Sequence, residues 1–270
     1  MSQSTYLNNF LNEVGHSVHC MNTIAVALST LEKDTKVPIQ LNISWDSKSI
    51  DKSTINSRRF AIKSSIVYCI ESLFEYLTKV SKNPFWLTSK KSFTDSKTNN
   101  PKKQLSKAER TVRLLKDIST LEKEWIILVE LLCHWRNKVV HANSSNANIS
   151  SSSRQYLHSK ETEIYDNYHH FSVSIALDNF NKNKFTLKDV TTLITIVIKC
   201  ARKIDETFII AMQNISYTDI INEINDIEFV NIKNQMPSDK KNRQLEKWLS
   251  INYNFLKQDT IDSIVNELKT

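Results

Sequence analysis

Residues 53–80 read STINSRRFAIKSSIVYCIESLFEYLTKV, and the spacing of their apolar side chains decides the fold class. One face of a helix collects six of them: Ile62, Ile66, Ile70, Leu73, Leu77 and Val80. Apolar residues three and four positions apart are typical of an amphipathic helix that buries this face. The segment therefore predicts a long helix, and the rest of the chain must supply the helices against which it packs.

The same helical spacing recurs on both sides of this segment. It predicts further helices at 5–33, 106–118, 120–142, 186–214, 217–230 and 240–268. Ser106, with Glu109 three positions later, matches a capping box at the start of one of them. The chain contains one Gly and four Pro, fewer than hairpin-rich sheets use. An all-α bundle of long antiparallel helices is the expected fold.

Some segments depart from helical spacing. VPIQLNISW at 37–45 reads as a loop with room for a short strand, and FSVSIALDNFNKNKF at 171–185 alternates as a small β excursion would. The polar stretches 82–103 and 142–154 are predicted to be loops. We expect a helical domain over 1–215 and a helical extension over 216–270.

Positive charge is concentrated in one part of the chain. The formal charge of the chain is +7. The segment from Lys79 to Lys116 contains eleven Lys or Arg and two acidic residues, Asp95 and Glu109, which gives a local net charge of +9. Such a local footprint is typical of nucleic-acid binding, although a solvated loop fits it equally well. The candidate nucleic-acid contacts are Lys90, Lys91, Lys102, Lys103, Arg110 and Arg113, with Phe85, Trp86 and Phe93 available to stack on bases.

Several patterns point away from metals, cofactors and membranes. The four cysteines have no metal-ligand spacing and read as reduced thiols. His16, His19 and Cys20 make at most part of a metal site, and a single Gly leaves no phosphate-cradling loop. There is no signal-peptide pattern, and no apolar run nears the roughly 18 residues that span a bilayer. We expect a cytoplasmic protein without a membrane segment, metal or cofactor.

Ionisable side chains follow the most hydrophobic segment of the chain, in WIILVELLCHWRNKVVHAN at 125–143. At about 100° per residue, one polar stripe of the helix holds Glu130, His134, Asn137 and His141. Arg136 points with the apolar residues on the other side. A guanidinium there needs either an acidic partner, for which Glu71 and Glu75 are the candidates, or an incoming anion.

The run Arg136-Asn137-Lys138-Val139-Val140-His141 resembles the Arg-x4-6-His motif of the HEPN superfamily. Its place at the end of a long helix in an all-helical chain also fits, and the resemblance covers roughly residues 5–214. It implies a HEPN-like helical bundle. Because many members are metal-independent endoribonucleases, it also implies cleavage of single-stranded RNA.

The implied reaction assigns a role to each residue of the motif. The ribose 2′-OH attacks the adjacent phosphate and leaves a 2′,3′-cyclic phosphate. Arg136 would hold the phosphoryl oxygens, Asn137 would orient phosphate or ribose, and His141 would act as acid or base. Glu71 and His134 would hold these side chains in position. The basic stretch 79–116 would line the path of the RNA.

The spacing of the motif predicts a homodimer. Arg136 and His141 lie about 140° apart on an ideal helix, so they converge only if the helix breaks near Val140 or a second copy contributes. Family members commonly dimerise through this face, which would give one composite site. Toxin and antiviral roles are common in the family and imply a protein partner or antitoxin. However, Asn143 stands where nucleotidyltransferase-regulated toxins usually carry Tyr.

Two alternatives to an enzyme remain open. The chain fits a non-catalytic HEPN-type module that binds RNA, nucleotide or a protein partner in a larger assembly. It also fits a structural helical protein in which Glu71 neutralises Arg136.

Overall fold

The computed structural model is built from α-helices. It describes residues 3–32, 34–45, 48–82, 93–97, 104–141, 148–214 and 216–269, and within these ranges it contains twelve α-helices and no strand. The long helices are α1 (Thr5–Ser29), α2 (Ile50–Lys82), α4 (Lys123–Val140) and α8 (Leu187–Gln213). The others are α3 (Lys107–Lys116), α5 (Ser151–Ser159), α6 (Glu161–Asn167), α7 (Val173–Asn181), α9 (Tyr217–Glu223), α10 (Ile227–Lys233), α11 (Asp239–Asn252) and α12 (Gln258–Glu267). The predicted all-α class is confirmed.

The buried face of α2 and the cap of α3 follow the sequence pattern. All six apolar residues of the predicted α2 face are buried. At α3, the Ser106 hydroxyl accepts a hydrogen bond from the Glu109 amide at 3.2 Å, and the Glu109 carboxylate accepts one from the Ser106 amide at 2.8 Å. The predicted capping box is therefore confirmed. Within the described part of the chain, none of the helices has the length and apolar composition needed to cross a membrane.

The predicted β excursion at 171–185 is wrong, because most of this segment forms α7. Ser172 caps the helix by accepting a hydrogen bond from the Ile175 amide. The buried residues Val173, Ala176, Leu177 and Phe180 follow helical spacing. Ile175, which an alternating strand would place on the same face as Val173, is 60% exposed. The prediction of a short strand at 37–45 also fails, since this stretch holds a 3₁₀ turn at Ile39–Leu41 and no ladder.

Turns in this chain use residues other than glycine. The single glycine, Gly15, lies inside α1. Among the described residues, the positions with a left-handed backbone are Asn42 (φ 44°), His169 (φ 51°), His170 (φ 60°) and Asn183 (φ 53°). Asn and His tolerate this conformation better than β-branched residues do.

The chain divides into two compact units. The first unit comprises Met1–Leu11, Leu73–Glu122 and Ile198–Thr270. In it the turn after α11 packs on α8, since the Phe255 ring lies 5.0 Å from the Phe208 ring, and α10 packs on α11, since the Phe229 and Trp248 rings lie 5.1 Å apart. Residues 216–269 belong to this unit together with the C-terminal part of α8.

The second unit comprises Asn12–Ser72 and Lys123–Val197. In it α1 and α2 run antiparallel: the Ser65 hydroxyl donates to the Ser17 carbonyl at 3.3 Å, and Leu28, later in α1, lies beside Ser57, earlier in α2. Helices α4 and α5 are joined by the Tyr156 hydroxyl, which donates to the Glu124 carboxylate at 3.0 Å. The Arg-x4-His motif belongs to this unit.

Candidate functional site

Trp135 anchors the C-terminal turns of α4 in the core of the second unit. Its side chain is fully buried, and its ring lies 5.8 Å from the Phe180 ring and 5.4 Å from the Phe185 ring. Because Trp135 is buried, it fixes the rotation of α4 about its axis. The directions of the following side chains, from Arg136 onward, are therefore fixed as well. This packing places the motif at the edge of the unit.

Arg136 forms an ion pair with Glu71 of α2, through its Nη2 and the Glu71 Oε1. Its Nη1 donates to the Asn137 side-chain oxygen at 3.2 Å. Its Nε is buried without a hydrogen-bond partner among the described residues. The Arg136 side chain is 14% exposed and that of Glu71 is 39% exposed, so the pair opens to solvent on the Glu71 side. The guanidinium thus has the acidic neighbour that the sequence offered as the structural alternative to an anion.

The Glu75 alternative is not used. Glu75 pairs instead with Lys79, one turn later in α2, at 2.6 Å. Both of these side chains are largely exposed. This pair belongs to the first unit, whereas the motif belongs to the second.

The polar stripe of α4 is partly buried rather than fully solvated. His134 lies 3.8 Å from the Glu130 carboxylate, one turn earlier, and the two side chains are only 13% and 22% exposed. The His134 Nδ1 is buried and has no hydrogen-bond partner among the described residues. His134 therefore interacts with Glu130 one turn earlier on the same helix, and not with Arg136.

His141 is exposed and stands directly after α4. Its backbone amide donates to the Asn137 carbonyl at 2.9 Å, which is the helical i to i−4 bond. The helix therefore does not break near Val140, and Arg136 and His141 keep the angular separation of about 140°. Within one chain, the imidazole and the guanidinium leave the helix in different directions.

Sequence reasoning missed two cations close to the motif, Lys138 and Arg154. The Lys138 ammonium donates to the Phe180 carbonyl at 3.1 Å and sits 3.6 Å from the centre of the Phe180 ring. Arg154 of α5 donates to the side-chain oxygens of Asn148 and Asn181. The position of Lys138 could have been predicted from the sequence, since a residue three positions before His141 is its neighbour on a helix. Arg154 gave no such signal, because its place depends on how α5 packs.

The candidate RNA-binding residues fall into two groups. Lys90, Lys91, Lys102 and Lys103 lie outside the described residues, as do Phe85, Trp86 and Asn143. Arg110 and Arg113 lie in the first unit and hold the segment 93–97: the Arg110 Nη1 donates to the Phe93 carbonyl at 3.2 Å, and the Arg113 Nη2 donates to the Asp95 carbonyl at 2.5 Å.

Phe93 does not offer the exposed ring that base stacking needs. It is buried, stacked 5.7 Å from the Phe74 ring, and the Arg110 guanidinium covers it at 5.1 Å. The expectation that Phe93 stacks on bases is therefore corrected, because the ring is part of the core of the first unit.

Two other groups of histidines lie outside the motif, at His16 with His19 and at His169 with His170. Cys20 and His16 are in contact at 3.6 Å between Sγ and Nε2, and within the described ranges no group of three His, Cys, Asp or Glu side chains is placed to hold a metal ion. Tyr168 is buried and accepts a hydrogen bond from Trp125, while His169 and His170 are exposed. Tyr168 thus closes an edge of the core.

Comparisons with protein-family models, with curated proteins and with solved structures found no match to this chain.

Proposed function

We propose that this chain is a HEPN-type, metal-independent endoribonuclease that cleaves single-stranded RNA. The observation that carries the proposal is the arrangement at the end of α4. Arg136 and Asn137 occupy its last turns, joined by a hydrogen bond of 3.2 Å, and His141 stands exposed directly after it. These side chains have the chemistry that 2′-OH attack on a phosphodiester requires.

The proposed reaction needs two proton transfers and one cationic clamp. One imidazole takes the proton of the ribose 2′-OH as the oxygen attacks phosphorus. A second group donates a proton to the 5′-oxygen as the P–O5′ bond breaks, leaving a 2′,3′-cyclic phosphate and a 5′-OH. Histidine performs either step near neutral pH because its unperturbed pKa is about 6.5. Arg136 stabilises the negative charge that grows on the phosphoryl oxygens.

The continuity of α4 favours a site shared by two copies of the chain. Since the His141 amide keeps its helical bond to Asn137, the imidazole does not turn back toward Arg136 of the same chain. A second copy docked on this face supplies the missing imidazole and makes one composite cleft. His141 of one copy then lies across the cleft from Arg136 of the other copy and acts as the acid–base group.

Glu71 has a defined place in this proposal. Its carboxylate holds Nη2 of Arg136 and fixes the plane of the guanidinium, while Nε has no partner among the described residues. Because the Glu71 side of the pair is 39% exposed, a phosphate oxygen can approach Arg136 there and replace the carboxylate as its partner. Arg136 is thereby oriented before RNA arrives.

The same ion pair favours a second candidate function, a non-catalytic HEPN-type binding module. A guanidinium already neutralised by Glu71 contributes less to a transition state than an unpaired one. In that case the chain binds RNA, nucleotide or a protein partner and cleaves nothing.

One experiment separates the two functions. Purified protein is incubated with single-stranded RNA labelled at its 5′ end, in EDTA, and the products are analysed for 2′,3′-cyclic phosphate ends. An endoribonuclease cleaves under these conditions, and His141→Ala abolishes cleavage with an unchanged melting curve because the side chain is exposed. Cleavage that survives in His141→Ala removes the catalytic assignment. Binding without cleavage in the wild type supports the module instead.

A further inference from the structure

Lys138, and not Arg136, is the cation on the His141 side of α4. Residues three apart on a helix are neighbours, separated by about 60° in direction, whereas Arg136 and His141 diverge by about 140°. The helical hydrogen bond from the His141 amide to the Asn137 carbonyl extends this geometry up to His141. Of the two cations in the motif, Lys138 is therefore the one closer in direction to His141 of the same chain.

The Lys138 ammonium is held in place by Phe180. It donates to the Phe180 carbonyl at 3.1 Å and lies 3.6 Å from the centre of the ring, an arrangement that favours a cation over the aromatic face. Partial burial lowers the pKa of Lys138, and the charge of Arg154 lowers it further. No carboxylate contributes to this shift. The ammonium is therefore fixed but not neutralised.

Arg154 brings a second positive charge close to Lys138, because it donates to the side chain of Asn181, the residue that follows Phe180. Its guanidinium donates to the amide oxygens of Asn148 and Asn181, the latter at 3.5 Å, which are neutral acceptors. Neither Arg154 nor Lys138 has a carboxylate within ion-pair distance in the described part of the chain. Other lysines of the second unit do, since Lys182 pairs with Asp178 at 2.7 Å and Lys160 with Glu163 at 2.6 Å.

Two like charges held together without a counterion favour binding of an anion. Each cation raises the electrostatic free energy of the other charge. An anion between them removes this repulsion and accepts charge-assisted hydrogen bonds from both. The present partners of Arg154 are neutral, since its guanidinium donates to the side-chain oxygens of Asn148 and Asn181, and an anion is a stronger acceptor than an amide oxygen. The cluster formed by Lys138 and Arg154 thus has the chemistry of a phosphate site.

We infer that Lys138 and Arg154 form a phosphate-binding site for RNA, next to His141 of the same chain. This inference rests on the proposed function in one respect, the identity of the polyanion as RNA. The site holds a backbone phosphate beside the one that is cleaved, so that the strand runs along the His141 side of α4. Arg136, engaged with Glu71, serves the cleaved phosphate itself.

The test measures binding of an RNA that cannot be cut. A fluorescein-labelled, fully 2′-O-methylated oligoribonucleotide lacks the attacking hydroxyl, and its affinity is measured by anisotropy over a series of salt concentrations. We expect Lys138→Met and Arg154→Met each to weaken binding about five- to tenfold, as removal of a charge-assisted hydrogen bond does. The slope of log K against log salt should fall by about 0.7 for each phosphate that no longer has a cationic partner.

Lys182→Met is the matched control, since it removes the same charge from a lysine already paired with Asp178. We expect it to change affinity less than twofold. Lys138→Arg keeps the positive charge, and arginine also stacks on an aromatic face, so this variant should lose less affinity than Lys138→Met. If Lys138→Met does not fold, Arg154→Met carries the test, because Arg154 contacts only neighbouring side chains at the surface.

The outcomes for the site and for the proposed function are distinct. Wild-type affinity and salt slope in both Met variants overturn the site, as does absence of binding to the probe by the wild type. Weakened binding in both variants, together with no cleavage of unmodified RNA by the wild type, supports the site and overturns only the endoribonuclease.

Discussion

Arg136 and Glu71 form an ion pair that joins the last turns of α4 to α2 within the second unit. The arginine is mostly buried and the glutamate is more than one-third exposed. The pair therefore combines two properties, since it satisfies a guanidinium on an apolar face and remains open to solvent at one edge. The pair can contribute to the stability of the fold and to the proposed chemistry. Substitutions at the two positions measure these two contributions separately.

Glu71→Gln should destabilise the protein by about 1–2 kcal/mol, because it leaves the Arg136 charge without its counterion. The effect is limited by the exposure of Glu71. Urea unfolding followed by circular dichroism measures it. Combining Glu71→Gln with Arg136→Met in a double-mutant cycle isolates the coupling between the two side chains.

The control for this prediction is Glu75→Gln, one turn further along α2. Glu75 pairs with Lys79 at the surface, so its removal should cost less than about 0.5 kcal/mol. Equal effects of the two substitutions would show that the Arg136–Glu71 pair contributes no more than an exposed one.

A shared site predicts complementation between two inactive variants. Arg136→Ala and His141→Ala should each lack RNA cleavage, and a mixture that has exchanged subunits should regain a fraction of wild-type activity. The reason is that a mixed dimer retains one intact arginine and one intact imidazole facing each other. Sedimentation of the wild type should show a dimer. A mixture that stays inactive despite proven subunit exchange contradicts the composite site.

Asp205 should make stability depend on pH. It is buried in the first unit, where the Ser4 amide donates to it at 2.9 Å and the Tyr76 hydroxyl at 3.4 Å. Burial raises the pKa of Asp205, although the hydrogen bonds from Ser4 and Tyr76 oppose this. The folded chain therefore binds the proton more tightly than the unfolded chain, whose Asp pKa is about 3.9. Stability from this group is complete below that value and falls as pH rises through the higher folded pKa.

Asp205→Asn removes this titration and isolates it from all others. The difference in unfolding free energy, wild type minus variant, should be greatest near pH 4 and decrease as pH rises, then level off. Urea unfolding at a series of pH values measures the difference. A difference that grows with pH would mean that the hydrogen bonds outweigh burial and that the folded pKa is lowered.

Trp135→Ala should destabilise the second unit by about 3–5 kcal/mol, the usual cost of removing a fully buried aromatic side chain. Trp135→Phe should cost less, because a ring still packs against Phe180 and Phe185 and the indole Nε1, which has no partner among the described residues, is removed. Guanidinium unfolding of both variants tests the ranking. RNA cleavage should fall with Trp135→Ala, since this residue fixes the directions of the motif.

Thiol reactivity should distinguish Cys20 from the other cysteines. Cys69, Cys133 and Cys200 are buried, and burial raises the pKa of the Cys69 and Cys200 thiols. Cys20 is partly exposed. Since the thiolate is the reactive form, a disulfide reagent at pH 8 should modify one thiol rapidly in the folded protein and all four in guanidinium. Cys20→Ser should abolish the rapid phase.

The sequence predicted the long helices well, because their apolar spacing admits one period over many turns. It failed at 171–185, where the apolar residues fit a period of two almost as well as one of 3.6 over so short a stretch. Two features decide for the helix: the cap at Ser172 and the burial of Phe180 against Trp135. The second is a tertiary contact, which spacing alone does not contain.

At the site, the direction of Arg136 followed from the helical angle, and Glu71 and Glu75 were both offered as partners. They stand one turn apart on the same face of α2, so only the packing of α4 on α2 selects Glu71. The same limit applies to Arg154, whose approach to Lys138 depends on the contact of α5 with α4. Sequence reasoning therefore identified Arg136 and limited its acidic partner to two glutamates, but it missed Lys138 on the same helix and Arg154, which α5 contributes.

The left-handed positions at Asn42, His169, His170 and Asn183 have a consequence for the unfolded chain. Glycine at such turns would relieve the backbone, but it would also widen the range of conformations that must be given up on folding. Asparagine and histidine at these turns introduce a small backbone strain in the folded loops. They also leave the unfolded chain with less conformational entropy than glycine would. Part of the stability of the protein thus originates in the restricted conformations of the denatured state.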